Sequence, residues 1–124
     1  MILSIFLAGM ALAMAQSWEA PEEARAVPNP LEPSPAVVAE GEALFQKQCT
    51  MCHGDGLKGD GSAVQVFGVQ PPDLSTVEAR ERLTDGEIFY KITVGKNPMP
   101  SMKSRLSEEE RWKVVVFVRS LQAK

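Results

Sequence analysis

The chain has 124 residues and a formal net charge of −3 at pH 7, and 44% of its residues are hydrophobic. This length suits one small domain, and the acidic balance argues against nucleic acid and anionic membrane surfaces as partners. The charge is uneven, because acids dominate residues 16–46 and bases dominate residues 91–105. The bases in the second segment are Lys91, Lys96, Lys103 and Arg105.

Residues 1–15 are almost entirely apolar and end in Ala13-Met14-Ala15. An A-x-A ending after a short apolar core predicts a secretory signal peptide, cleaved before Gln16. A transmembrane helix needs about 20 apolar residues, and this run is shorter. No Lys or Arg precedes the run, which leaves the true translation start open. We therefore expect a protein of the periplasm or the extracytoplasmic face of the membrane, without a membrane span after cleavage.

Residues 16–34 contain four prolines among acids and alanines, which predicts an extended arm. The arm is either a solvated linker or a segment that lies on the domain or on a partner, and Trp18 is a candidate anchor. Residues 35–124 then form the single folded domain. Ser34 and Pro35 predict the start of its first helix, as N-cap and first helical residue. Apolar residues at helical spacing continue to about Gln48, and Gly41 predicts close approach by another helix.

Residues 49–53 contain both cysteines and the only histidine of the chain. The spacing of Cys49, Cys52 and His53 is that of a c-type haem attachment site. Two thiols three positions apart reach the two vinyl groups of a haem, and the following imidazole ligates the iron. A zinc site lacks its further ligands, and a disulfide in so short a loop stabilises little. The motif therefore predicts one haem c, held by two thioethers.

The imidazole of a ligating histidine is usually oriented by a hydrogen bond from its other ring nitrogen. We expect a backbone carbonyl of Pro71-Pro72 to accept that bond from His53, because rigid prolines follow a glycine-rich loop. This places Pro72 among the expected haem-binding residues.

Two further helices are predicted from capping boxes. Thr84-Asp85-Gly86-Glu87 opens one that ends at Gly95, and Ser107-Glu108-Glu109-Glu110 opens the last one, which extends to Leu121. No segment alternates for long enough to form a convincing strand. The chain is therefore expected to be all-α, with about three main helices.

No second histidine exists, so a six-coordinate iron must recruit another side chain, and a methionine thioether is the usual second axial ligand. The methionines at positions 1, 10 and 14 lie in the predicted signal peptide, and Met51 lies inside the attachment motif. Met99 is favoured because prolines on both sides stiffen its backbone. Met102 is expected to contact the haem pocket or the core. An open distal site is the remaining alternative.

Several short motifs extend the pattern beyond the haem attachment site. They are Gly41 with Phe45, Gly59-Asp60-Gly61, Pro71-Pro72-Asp73-Leu74, Met99-Pro100 and Arg111-Trp112. With these motifs, residues 37–121 resemble the class I monohaem cytochromes c of the small exported bacterial kind. The resemblance implies a cytochrome c fold in which Gly41 and Phe45 meet Phe117, with His53 as proximal and Met99 as distal ligand. The arm is similar to leaders of cytochromes that accompany molybdenum oxidoreductases such as sulfite dehydrogenases.

The expected function is that of a one-electron carrier and not an enzyme, with electrons shuttled between exported redox enzymes or respiratory complexes. Its partners would be a dehydrogenase, a quinol-oxidising complex or a terminal oxidase. The bases of residues 91–105 either form part of a docking rim or are solvated surface. One alternative is a tightly bound cytochrome subunit of a larger oxidoreductase, clamped by the arm. A haem enzyme or gas sensor with a labile distal ligand is disfavoured, because the sequence has no distal His or Arg cluster.

Overall fold

The computed structural model describes residues 18–124, which fold into seven helices and contain no strand. The helices are α1 (Glu22–Arg25), α2 (Pro35–Gln48), α3 (Thr50–His53), α4 (Ala63–Phe67), α5 (Val77–Arg82), α6 (Asp85–Val94) and α7 (Glu108–Leu121). The three predicted helices correspond to α2, α6 and α7, and the all-α prediction is confirmed. The predicted signal peptide lies outside the described residues. Within residues 18–124, none of the helices has the length and apolar character needed to span a bilayer.

Side-chain caps fix the starts of the three long helices. The Ser34 hydroxyl accepts a hydrogen bond from the Val37 N–H at 3.2 Å, with Pro35 as the first helical residue of α2. At α7 the capping box is complete, since Ser107 and Glu110 each accept a bond from the other's backbone N–H. Each of these local signals predicted its helix start correctly.

The capping box predicted at α6 forms only in part. Thr84 Oγ1 accepts a hydrogen bond from the Glu87 N–H at 3.1 Å, as expected for an N-cap. The Glu87 carboxylate does not return to the cap, because it turns into the protein, where the residue is only 2% exposed. Long-range partners of this carboxylate, described below, replace the local bond.

Helices α2 and α7 cross at Gly41. A Cβ added to Gly41 would collide with the Lys113 carbonyl oxygen and would lie 2.9 Å from Phe117 Cβ. The rings of Phe45 and Phe117 pack with centroids 5.2 Å apart. The crossing implied by the family resemblance is therefore present, and a glycine is required where the two backbones meet.

The described part of the arm lies on the domain. Helix α1 packs against the start of α6, where Gly86 leaves room for the Ala24 carbonyl. Thr84 Oγ1 donates to the Arg25 carbonyl at 2.8 Å, and Asn29 Nδ2 donates to the Trp112 carbonyl at 3.3 Å. Of the alternatives for this segment, the structure has the arm folded back onto its own domain.

Candidate functional site

The end of α2 and the single turn of α3 position the cysteines and the histidine. The Cys49 carbonyl accepts hydrogen bonds from the backbone N–H groups of Cys52 and His53, at 3.2 and 3.0 Å. This turn places all three side chains on the wall of one cavity. The local geometry thus follows directly from the two-residue spacing between the cysteines.

The cavity has a volume of about 670 Å³, within the range of about 300–1,000 Å³ that is common for small-molecule and cofactor sites. Its lining includes every site residue predicted from the sequence, which are Cys49, Cys52, His53, Pro72, Met99 and Met102. Much of the remaining wall is apolar and belongs to the core, including Leu57, Ile88, Ile92, Val114 and Val118. A large apolar group therefore fits this cavity better than a small polar one.

The imidazole of His53 is prepared to act as a ligand. Burial lowers the pKa of His53, so the ring is neutral at pH 7 and has a free lone pair for a metal. Its Nδ1 atom is buried and has no hydrogen-bond partner among residues 18–124. The bond that we expected from His53 to a carbonyl of Pro71-Pro72 is therefore not formed, although both prolines line the cavity.

Neither cysteine forms a disulfide. Burial, and to a lesser degree the neighbouring Cys52, raises the pKa of the Cys49 thiol to about 12. No group of three or more His, Cys, Asp or Glu side chains in the described chain could hold a metal ion. Two thiols, a neutral imidazole and an apolar cavity suit a haem, whose vinyl groups the thiols can take as thioethers and whose iron the imidazole can ligate.

The glycine-rich loop after the motif brings the prolines to the cavity. The N–H of Gly59 donates to the His53 carbonyl at 2.9 Å, and that of Gly61 donates to the Cys52 carbonyl at 3.2 Å. A Cβ at Gly59 would collide with the Pro71 carbonyl oxygen. The loop therefore packs Pro71 against Gly59, which is itself hydrogen-bonded to the backbone of the histidine.

Met99 lies on a tight turn that lines the cavity. Its N–H and carbonyl both pair with the backbone of Lys96, at 2.8 and 3.0 Å. Gly95 ends α6 with a φ of +64°, and a Cβ there would lie 2.6–2.7 Å from the backbone of residues 99–101. The turn is thus fixed to the end of α6. Met102 is 3% exposed and belongs to the core as well as to the cavity wall.

The cavity also has a charged side that was not predicted from the sequence. Trp18, Arg25, Glu87 and Lys91 all line it. Glu87 was interpreted as a capping residue, because its position in the α6 capping box gave a sufficient local explanation. Lys91 was grouped with the exposed bases, but its side chain is only 17% exposed and 3.7 Å from Glu87. Only the contact with the arm explains this cluster, and that contact joins residues far apart in the sequence.

Comparisons with known proteins agree with this site. The family model described as cytochrome C oxidase, cbb3-type, subunit III matches residues 36–118. Cytochrome c6 of Leptolyngbya boryana is 29% identical over 83 residues, which cover 67% of this chain and 91% of the relative. Cytochrome c6 of Petalonia fascia is 31% identical over 87 residues, covering 70% of this chain and 95% of the relative.

Two solved structures share the fold. A chain of the reducing HAO-like protein complex Kustc0457/Kustc0458 of Kuenenia stuttgartiensis superposes with a TM-score of 0.64 at 28% identity. The match covers 76% of this chain but only 47% of that longer chain. The c-type cytochrome KustC0563 superposes with a TM-score of 0.57 at 25% identity, over 67% of this chain and 98% of its own.

Proposed function

The chain belongs to the family of the cbb3-type cytochrome c oxidase subunit III, and from that membership we propose a one-electron carrier with His53 and Met99 as axial ligands. The protein is a monohaem class I c-type cytochrome with the cytochrome c fold and one covalently bound haem c. It is an electron-carrying haem protein and not an enzyme. We assign the two thioethers to Cys49 and Cys52.

One observation supports the proposal best: Cys49, Cys52, His53 and Met99 all line the same cavity. The haem supplies an iron centre that alternates between Fe(II) and Fe(III). His53 and Met99 together would fill both axial positions, which leaves no place for a substrate. A methionine ligand also raises the reduction potential relative to other ligands.

Met99 is preferred over Met102 because of how each is held. Reciprocal hydrogen bonds with Lys96 fix the backbone of Met99 while its side chain remains only partly buried. Met102 instead packs within the core at 3% exposure, and its N–H donates to the Ile92 carbonyl at 3.0 Å. A fixed backbone on a partly buried turn suits a ligand, whereas a core position suits a packing residue.

Other redox proteins are the partners of this cytochrome, and we propose that they dock on the surface beside Met99. Lys96, Lys103 and Arg105 are exposed there, so an acidic patch on the partner would complement them. Lys91 is not part of this rim, because Glu87 and the arm enclose it. A dehydrogenase or quinol-oxidising complex as donor and a terminal oxidase as acceptor fit this role. The association rate should fall as salt rises, and a rate independent of salt would contradict electrostatic docking.

A second candidate is a cytochrome subunit bound within a larger oxidoreductase. The observation in its favour is the fold shared with a chain of the reducing HAO-like complex. The contacts of the described arm residues with their own domain argue against a clamp by the arm. Deleting residues 16–33 would separate the two cases, because unchanged partner affinity would rule out the clamp.

We further propose that residues 1–15 direct export and are removed before Gln16, that residues 16–34 are an arm and that residues 35–124 are the haem-binding domain. Export is consistent with the motif, because haem is attached to C-x-x-C-H motifs outside the bacterial cytoplasm. Mass spectrometry of the matured protein should give a chain that begins at Gln16 and carries one haem. A chain that retains residues 1–15 would contradict cleavage.

The ligation is tested by a carbon monoxide difference spectrum of the reduced, haem-matured protein. Since His53 and Met99 would hold both axial positions, we expect no spectral shift on addition of carbon monoxide. Rapid and complete binding would mean that the distal position is open, and the proposed His/Met ligation would be wrong.

A further inference from the structure

The arm contributes a wall to the haem cavity. Trp18 and Arg25 both line the cavity, although they precede the first helix of the domain. Ala20 between them is 7% exposed. Lys91 Nζ lies over the Trp18 ring, 5.3 Å from its centroid. Trp18 and Arg25 therefore form part of the cavity wall, which a solvated linker would not do.

A buried carboxylate organises this wall. Glu87 is 2% exposed, and its Oε1 lies 3.7 Å from both Arg25 Nη1 and Lys91 Nζ. The same oxygen accepts the Ala20 N–H at 3.4 Å. The other oxygen, Oε2, is buried and has no hydrogen-bond partner in residues 18–124. Glu87 is a positioning residue, because it fixes one cation from the arm and one from α6 against the same cavity.

The charges on the cavity wall do not balance. Arg25 and Lys91 are half-buried and share one buried carboxylate, Glu87, which leaves an excess of one positive charge (2 − 1). The other charged residues that line the cavity, Glu19, Arg82 and Lys96, are exposed and solvated. Positive charge beside an apolar cavity is costly unless an anion compensates for it. A haem carries two propionate carboxylates, so its charge complements that of the wall.

We propose that residues 18–25 are part of the haem site, with Trp18 covering one edge of the cavity and Arg25 and Lys91 compensating the propionate charge. The inference rests on the haem site described above and assigns the arm a role in it. Such cations raise the reduction potential, because the oxidised haem is the more positive state and is disfavoured beside them.

The test compares Arg25→Gln with Lys124→Gln in the haem-matured full chain. Both changes remove one positive charge, but Lys124 is exposed at the end of the chain and does not line the cavity. Spectroelectrochemical titration should give a lower potential for Arg25→Gln, an unchanged one for Lys124→Gln, and a nearly restored one for Arg25→Lys. Equal potentials for Arg25→Gln and Lys124→Gln would overturn the proposal.

Trp18→Ala gives a second, independent test that leaves every charge in place. Loss of the Trp18 ring should admit water to the cavity and lower the reduction potential. An unchanged reduction potential would mean that the arm has no role in the haem site. The carbon monoxide spectrum of each variant separates the two proposals. Carbon monoxide binding by the wild-type protein would contradict His/Met ligation. If the variants bind no carbon monoxide and their reduction potentials are unchanged, only the proposed role of the arm is contradicted.

Discussion

Gly41 lies directly against the carbonyl oxygen of Lys113, so the first and last long helices meet backbone to backbone. The contact permits Phe45 and Phe117 to pack with their ring centroids 5.2 Å apart. Any side chain at position 41 would separate the helices that enclose one side of the haem cavity.

Gly41→Ala is therefore expected to destabilise the protein. Overpacking of a close contact typically costs about 1–3 kcal/mol, and the rigid Lys113 backbone limits relaxation. Thermal or denaturant unfolding of the haem-bound protein measures the effect. Gly56→Ala is the matched control, since a Cβ there meets nothing within 4 Å, and its stability should stay within about 0.5 kcal/mol of wild type. Equal stability of the two variants would mean that the crossing tolerates a side chain.

Met99→Ala and Met102→Ala should have different effects. Removal of the Met99 thioether is expected to lower the reduction potential and to open the iron to carbon monoxide. Met102→Ala leaves a cavity at a residue that is 3% exposed, so it should cost about 2–5 kcal/mol of stability without carbon monoxide binding. Potentiometry, carbon monoxide titration and unfolding distinguish the two. Carbon monoxide binding by Met102→Ala alone would reverse the assignment of the ligand.

Gly95→Ala should weaken distal ligation without touching any ligand. Gly95 has a φ of +64°, and its Cα faces the backbone of residues 99–101, so an alanine would displace the turn that carries Met99. Partial carbon monoxide binding by the reduced protein is the expected result. Gly68→Ala is the control, because Gly68 has the same φ of +64° but open space around it. The strained backbone of the Gly68→Ala variant should cost about 1–2 kcal/mol of stability, but the reduced variant should not bind carbon monoxide.

Glu110 should make a contribution to stability that depends on pH. Hydrogen bonds from the backbone and then the side chain of Ser107 lower the pKa of this carboxyl below its ordinary value of 4.5. Since the folded pKa lies below the unfolded one, the contribution is complete above about pH 4.5 and is lost as pH falls through the folded pKa. The stability of wild type should therefore exceed that of Glu110→Gln at pH 7 and approach it at low pH. Glu108→Gln removes a carboxylate from the same turn that takes no part in the capping box, so a similar convergence there would contradict the assignment to the cap.

Local sequence signals predicted the elements whose causes are themselves local. Ser34 and Ser107 cap their helices within three residues, and Gly95 ends α6 where a left-handed φ is required. The spacing of Cys49, Cys52 and His53 is likewise contained in one turn. The short helices α1, α3, α4 and α5 were missed, because four to six residues carry too little apolar periodicity to predict a helix, and α1 lies in the arm that was predicted to be extended.

Glu87 shows why the charged wall of the cavity was not predicted. Its position three residues after Thr84 satisfied a capping box, yet Ala20, Arg25 and Lys91 bind it from across the fold. Whether the Glu87 carboxylate caps α6 or turns into the protein depends on tertiary contacts, which the sequence of α6 alone does not reveal. The orientation of His53 was also beyond local reasoning, since no backbone carbonyl in the described chain reaches its Nδ1.

The backbone contact at Gly41 joins two helices that are far apart in the sequence. Lys113 follows Gly41 by 72 positions (113 − 41), so a chain that emerges from its N-terminal end presents Cys49 and Cys52 long before α7 exists. Until α7 is added, the cavity that contains the thiols lacks Val114 and Val118 from its wall, and we expect the thiols to be more accessible to the machinery that joins them to haem. We expect the final helix to act as the closing step of maturation, after which the same thiols are held within a packed domain.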